Sequence, residues 1–287
     1  YLPRGRTDLG GGAEMKRTDR ICRILQTLAE NPNRDFSLGC FAAAFDCAKS
    51  SISQDMKTIR EAVEAGGYGL VSTTSGARGG VRYVPHISGD KALEILQEIR
   101  RRFLETDRVL GGGFLYTSDI MFDPGIARGA AQIFARRFAG SGATCVVTVE
   151  TKGIAIAAFT AELLHIPLVV LRRESKVSEG STVSINYFSG SADRIQKMSL
   201  AKRALQPGAK ALIIDDFMRG GGSIKGIQDM LAEFDAQTVG IGVMIAAGDG
   251  NRKKIGEYFP LLLLDLDEKN EGVAGVRLNS EIPKTFQ

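Results

Sequence analysis

The chain lacks the spacings that mark metal and redox sites. Its 4 cysteines, Cys22, Cys40, Cys47 and Cys145, include no C-x-x-C pair, and its 2 histidines, His86 and His165, leave a zinc site few ligands to draw on. The cysteines read as reduced core residues of a cytoplasmic protein. His86 has no ligand partner nearby in sequence and reads as a hinge-surface residue. Apolar runs of membrane-spanning length are missing too; residues 261–264, all leucine, suit a short buried strand. The N-terminal residues hold no apolar signal core, so export is not expected. Internal repeats are also missing. Charge is nearly balanced, at 37 Lys/Arg against 33 Asp/Glu, with the basic excess concentrated in residues 1–88. That asymmetry is compatible with a nucleic-acid partner.

The most informative segment present is 212–224. An apolar strand-type run, Leu212-Ile213-Ile214, ends in Asp215 and Asp216. Phe217, Met218 and Arg219 follow, then Gly220, Gly221, Gly222 and Ser223. Neither G-x-x-x-x-G-K-[ST] nor G-x-G-x-x-G fits it. Three glycines let backbone N–H groups converge on an anion without Cβ obstruction. Ser223 is expected to cap the next helix and add its hydroxyl, at a helix N-terminus that favours negative charge. The carboxylates stand where they can accept hydrogen bonds from ribose hydroxyls. The order suits a ribose 5-phosphate and resembles the phosphoribosyl-pyrophosphate (PRPP) signature of type I phosphoribosyltransferases, which often carry Thr at the place of Gly220.

Residues 1–14 are Gly-rich without apolar periodicity and are expected to be a disordered arm or an expression remnant. Residues 15–88 predict helix, helix, helix, hairpin. Ile21, Ile24, Leu25 and Leu28 give a first amphipathic face, and Leu38, Phe41, Ala42 and Phe45 a second. Ile52, Met56, Ile59 and Val63 give a third, opened by a capping box of Ser51 with Gln54 and closed by Gly66-Gly67. Two β-rich runs between 70 and 84 flank a glycine-rich tip at 75–80. This is the order of a winged helix-turn-helix. Opposite its apolar face, the third helix is predicted to expose Ser50, Ser53, Gln54, Lys57 and Arg60, with Lys49 and Ser51 as further DNA-binding candidates at its start. Amides and cations read base edges, while Ser and Lys suit phosphates. Arg78 and Arg82 lie on the expected wing, where a cation could reach phosphate or the minor groove.

Residues 89–287 form the second expected domain, beginning with a joining helix at 90–104. Strands are predicted at 144–149, 167–171, 210–214 and 238–244, with helices near 153–165 and 223–235. Near-continuous apolar strands separated by helices mean a mostly parallel sheet covered on both faces, with ligands at the carboxyl ends of the strands. Thr151, Lys152 and Gly153 form a strand-to-helix turn suited to pyrophosphate. The polar segment 172–186 resembles the loop that closes over substrate in the transferases.

Together these features identify a closer resemblance, to the purine operon repressor family of Gram-positive bacteria. It rests on residues 48–53, on Gly79, Gly80 and Val81 beside Tyr83, and on residues 151–154, 179–187, 198–203 and 212–218. The resemblance implies a winged helix fused to a type I phosphoribosyltransferase fold used as a sensor rather than an enzyme. It implies a homodimer on double-stranded operator DNA, released by PRPP, with the guanine nucleotide ppGpp competing for the same pocket and favouring repression. PRPP would bind as its magnesium complex, without a protein-only metal site. The family's guanine contacts fall on Phe114, Phe217 and Arg219. Phe114 stands where Tyr is usual, keeping the stacking face without the hydroxyl. Arg219 stands where Lys is usual and adds a planar fork. The alternatives are an active purine phosphoribosyltransferase and an RNA-binding attenuation regulator on the same fold.

Overall fold

A computed structural model describes residues 15–67, 69–74, 80–105, 108–110, 114–174, 180–189, 194–247, 255–267 and 272–286. The arm expected at 1–14, and Arg78, lie outside these residues. The chain divides into two compact units between Ile87 and Ser88.

The first unit contains α1 (Arg17–Ala29), α2 (Leu38–Ala44), α3 (Lys49–Gly66), β1 (Gly69–Thr74) and β2 (Gly80–Pro85). Ser37 caps α2, its hydroxyl accepting the Cys40 N–H at 3.1 Å. Helix α3 ends at Gly67, whose φ of +71° closes the helix in the left-handed region. β1 and β2 pair antiparallel from Gly69 opposite Pro85 to Thr74 opposite Gly80. The apolar stripes bury Ile24, Leu28, Phe41, Ile52, Met56 and Ile59 against Val71 and Val81 of the wing. Outside the strands, Phe36 also pairs with Val81, exchanging N–H···O bonds of 2.9 and 2.8 Å.

The capping box expected at Ser51 is not formed. Helix α3 begins at Lys49, with Ala48 at the N-cap and no side-chain cap. The chain leaves α2 through a tight turn at Asp46, with φ +48°, and enters the next helix early, so Ser51 lies within its first turn.

The second unit opens with α4 (Gly89–Leu104), β3 (Val109–Leu110), β4 (Phe114–Leu115), α5 (Ser118–Met121) and α6 (Pro124–Phe138). Then follow β5 (Cys145–Val149), α7 (Ile154–Leu164), β6 (Leu168–Leu171), β7 (Thr182–Ser189), β8 (Arg194–Ala201) and β9 (Lys210–Met218). The last elements are α8 (Gly222–Ala232), β10 (Gln237–Ala247), β11 (Phe259–Asp267), β12 (Gly272–Leu278) and α9 (Glu281–Thr285). The main sheet has the order β12-β11-β10-β9-β5-β6. Its pairs are parallel except β11–β12. From β5 the chain moves outward to β6 and later returns to the other side of β5 as β9. The strand order therefore switches between β5 and β9, and a crevice opens at their carboxyl ends. Strands β7 and β8 form a separate antiparallel hairpin, so residues 182–186 of the segment expected to be a closing loop are strand; residues 175–179 lie outside the description. Tyr187 and Met198 of this hairpin crowd Gly226 of α8.

Of the four cysteines only Cys145 is buried; Cys40 and Cys47 are half-buried and Cys22 is exposed, which corrects the expectation that all are core residues. Cys22 occupies the solvent side of α1, next to the core-facing Ile21.

Candidate functional site

The outward face of α3 carries Ser50, Ser53, Gln54 and Lys57 at helical spacing, all exposed, with Lys49 exposed at the helix start and Ser51 half-buried beside them. Arg60 differs from the solvent-facing cation expected there. Its Nε donates to the Val71 carbonyl at 3.1 Å and its Nη2 to Thr73 Oγ1 at 2.7 Å, tying α3 to β1 of the wing. Arg82 is likewise engaged, in a two-pronged pair with Asp35 at 2.8 and 2.7 Å.

Beneath the stripe lies a feature that sequence reasoning missed. Asp55 faces inward from α3 with a fully buried side chain, and each of its oxygens meets a different guanidinium of α1. Arg17 Nε donates at 2.9 Å and Arg20 Nε at 2.6 Å. Burial pushes the Asp55 carboxyl up, but the hydrogen bonds and charges of Arg20 and Arg17 outweigh it, so its pKa falls below the ordinary aspartate range. The signal was present in the sequence: Asp55 falls between Ile52 and Met56, on the apolar stripe itself.

In the second unit the two turns at the β5/β9 switch point lie side by side. Strand β9 runs to Met218, four residues further than expected, so Asp215, Asp216 and Phe217 are strand residues rather than loop residues. Asp215 is buried, and its Oδ1 accepts the Asp216 N–H at 3.0 Å. Burial and the neighbouring Asp216 charge drive the Asp215 carboxyl well above its usual range. Asp216 is half-buried; burial raises it too, opposed by its hydrogen bond with Asp215 and by the charge of Lys152. Asp216, rather than Asp215, is therefore the more accessible acceptor.

The glycine-rich turn follows directly. Gly221 has φ +79° and serves as the N-cap of α8 without a side-chain cap. Ser223 therefore sits inside the first turn and does not cap, because the left-handed glycine starts the helix before the serine is reached. A Cβ at Gly220 would meet nothing within 4 Å, so the Thr common in the transferases would fit. Residues 219–224, with Asp215, Phe217 and Met218, line a depression of about 30 Å³. Arg219 is exposed and Phe217 half-buried at its rim. Phe114 is the first residue of β4. A larger cavity of about 530 Å³ lies between Phe138, Gly240 and Tyr258, at the amino ends of β10 and β11. It faces away from the carboxyl ends of the strands and holds neither turn.

In the turn after the neighbouring strand β5, Thr151 is exposed, Lys152 half-buried and Gly153 buried. A Cβ at Gly153 would lie 2.6 Å from Thr148 Oγ1, 3.4 Å from Asp215 Oδ1 and 3.5 Å from the Asp216 nitrogen. A side chain here would collide with Thr148, and the turn lies within van der Waals reach of Asp215 and Asp216, so it packs against the carboxylate pair. Thr148 Oγ1, fully buried, has no hydrogen-bond partner among the described residues.

Residues 16–85 match the family described as bacterial purine repressor, N-terminal, and residues 120–281 match the phosphoribosyl transferase domain. The purine biosynthesis transcriptional repressor PurR of Bacillus subtilis is 41% identical over 251 residues, 88% of each chain. The chain belongs to the bacterial purine repressor family. Another relative, the purine biosynthesis transcriptional activator PurR of Lactococcus lactis, is 39% identical over 90% of this chain and 96% of its own. The adenine phosphoribosyltransferase of Thermoanaerobacter pseudethanolicus aligns with a TM-score of 0.52 at 19% identity, covering 60% of this chain and 99% of its own. In this purine repressor family member, then, a winged helix precedes a phosphoribosyltransferase fold, and the candidate pocket occupies the carboxyl ends of that fold's parallel sheet.

Proposed function

We propose that this chain is a cytoplasmic, DNA-binding transcriptional repressor of purine biosynthesis genes whose second unit senses PRPP. The observation that carries the reading is a combination. One chain holds a solvent-facing Ser-Gln-Lys stripe on a winged helix and, separately, a glycine-rich turn with a carboxylate pair at a parallel-sheet switch point. In this reading residues 15–88 bind double-stranded operator DNA and residues 89–287 bind effector and form a homodimer. Helix α3 enters the major groove. Gln54 reads base edges, while Lys49, Ser50, Ser51, Ser53 and Lys57 contact phosphate or bases. Arg60 supports the wing and Arg78 contacts DNA from it. Gly220, Gly221, Gly222 and Ser223 receive the 5-phosphate. Asp216, backed by Asp215, receives the ribose hydroxyls. Thr151, Lys152 and Gly153 receive the pyrophosphate, with magnesium arriving on it. The competing nucleotide ppGpp would set its guanine against Phe114, Phe217 and Arg219.

The test is operator binding by the full chain with and without PRPP and Mg²⁺. PRPP is expected to weaken binding, and an unchanged affinity would overturn the sensor. Lys57→Ala is expected to weaken operator binding and to flatten its salt dependence by about 1 unit, the mark of one lost phosphate contact. A wild-type salt slope would take Lys57 off the interface. Because one relative is named an activator, transcription from an operator-bearing promoter decides the sign of regulation. Light scattering at micromolar concentration should give a dimer mass; a monomer would contradict the assembly.

The same preparation should form no nucleotide from PRPP and adenine, guanine, hypoxanthine, xanthine, uracil or orotate. Transfer needs a base aimed at the anomeric carbon, and aromatic faces such as Phe217 and Tyr116 stack a ring without fixing its attacking nitrogen. Turnover of any base near ~1 per second, an ordinary enzymatic rate, would make the chain a transferase.

A further inference from the structure

Thr117 occupies the N-cap position of α5, where a threonine hydroxyl ordinarily accepts a backbone N–H of the first turn. Here it makes no such cap. Instead its Oγ1 accepts a hydrogen bond from Lys152 Nζ at 3.1 Å, and the residue is 3% exposed. Thr117 is thus a buried hydroxyl taken from helix capping and aimed at the cation of the pyrophosphate turn, 35 residues away in sequence.

Its mount is rigid. The Tyr116 N–H donates to the Arg108 carbonyl at 2.8 Å, and the Tyr116 carbonyl accepts from Arg108 Nη1 at 3.1 Å. Two residues beyond Thr117, Asp119 grips the same guanidinium through both oxygens, at 2.7 and 3.0 Å. Arg108 is 4% exposed and also donates to the carbonyls of Phe103 and Arg102 at the end of α4, at 3.2 and 2.7 Å. The segment around Thr117 is therefore fastened to one buried arginine, before it by the Tyr116 backbone and after it by the Asp119 carboxylate, which fixes where the hydroxyl stands.

We propose that Thr117 is a positioning residue that holds the Lys152 ammonium ready for a diphosphate. The inference rests on reading residues 151–153 as the pyrophosphate turn. A free lysine loses considerable rotamer entropy when a ligand fixes it, and restricting it beforehand improves affinity. An ammonium has three donors; one goes to Thr117, leaving others for an anion over the turn. The ribose and 5-phosphate positions feel this lysine only through its charge on Asp216, which a change at Thr117 leaves in place.

The test compares inorganic pyrophosphate, PRPP and ribose 5-phosphate, each titrated calorimetrically into the full chain with Mg²⁺. Thr117→Val removes the acceptor and keeps the shape. It should weaken pyrophosphate and PRPP about 3- to 10-fold, the cost of ordering one long side chain on binding, and leave ribose 5-phosphate unchanged. Thr117→Ser should restore binding to within about 2-fold. In a Lys152→Ala background, Thr117→Val should have no further effect. Thr117→Ala serves in place of the valine variant if that one melts early. If the wild type binds ribose 5-phosphate but neither diphosphate, the turn reading itself fails. If the wild type binds the diphosphates and Thr117→Val matches it, or weakens all three ligands equally, or still matters without Lys152, Thr117 is not positioning the lysine.

Discussion

Asp55→Ala is expected to melt the winged-helix unit and abolish operator binding while leaving the second unit folded. The carboxylate is fully buried and is shared by two guanidiniums, of which Arg20 has only 12% of its side chain exposed. Removing it takes this carboxylate away from a largely buried Arg20 charge. Breaking a buried pair in this way costs about 3–5 kcal/mol. A domain of about 70 residues holds roughly 4–10 kcal/mol in total, so the loss is most of its stability. Thermal denaturation of the full chain should show a new low-temperature transition, with the sheet unit melting near its wild-type temperature. The pH dependence has a definite sign. The folded-state pKa of Asp55 is depressed, so its stabilisation is fully present above the unfolded value near ~3.9 and is lost as pH falls through the folded value. Asp55→Ala should remove that acid-sensitive part of the curve. An unchanged first transition, with operator still bound, would mean that α1 and α3 are held by their apolar faces alone.

Asp55 also marks where the sequence was readable and where it was not. The stripe Ile52, Met56, Ile59 and Val63 placed α3 and its inward face without any structure, because apolar periodicity is local. The same stripe contains an acid at position 55, a conflict that patterning registers but cannot resolve. Its partners stand 35 and 38 residues earlier, and nothing local points to Arg17 or Arg20 over other cations. Arg60 failed for a related reason. Its position on the outer face was readable, but its hydrogen bonds go to β1, whose approach depends on how the wing folds back. The turn at Gly220–Gly222 was legible as chemistry because glycine, carboxylate and hydroxyl must lie close in sequence to build it. Its exact boundaries were not, since β9 continues through Asp216 where parallel β10 supports it, with Asp215 opposite Val243. The fit of Gly153 against Asp215 depends on β5 and β9 being neighbours. That adjacency comes from topology, and no spacing along the chain encodes it.

The carboxylate pair supplies the second large effect. Asp216→Ala is expected to leave operator binding at its wild-type strength and to remove its sensitivity to PRPP, on the proposed reading of the pocket. Asp216 is the half-buried member of the pair, whereas Asp215 is buried and charges reluctantly because of burial and its neighbour. Two ribose hydroxyls bonded to an ionised acceptor contribute about 1.5–3 kcal/mol each, so their loss should raise the PRPP needed for operator release by about 100-fold or more. The stripe on α3 belongs to the other compact unit and is untouched by the substitution. Burial also raises the Asp216 carboxyl above the ordinary aspartate range. As pH falls through that raised value the wild-type acceptor is protonated, and the gap between wild type and Asp216→Ala should narrow. The measurement is operator anisotropy against PRPP concentration at fixed Mg²⁺, repeated down the pH range, with circular dichroism to confirm the fold. A variant that releases operator at wild-type PRPP concentrations would place the effector somewhere other than the β5/β9 crevice.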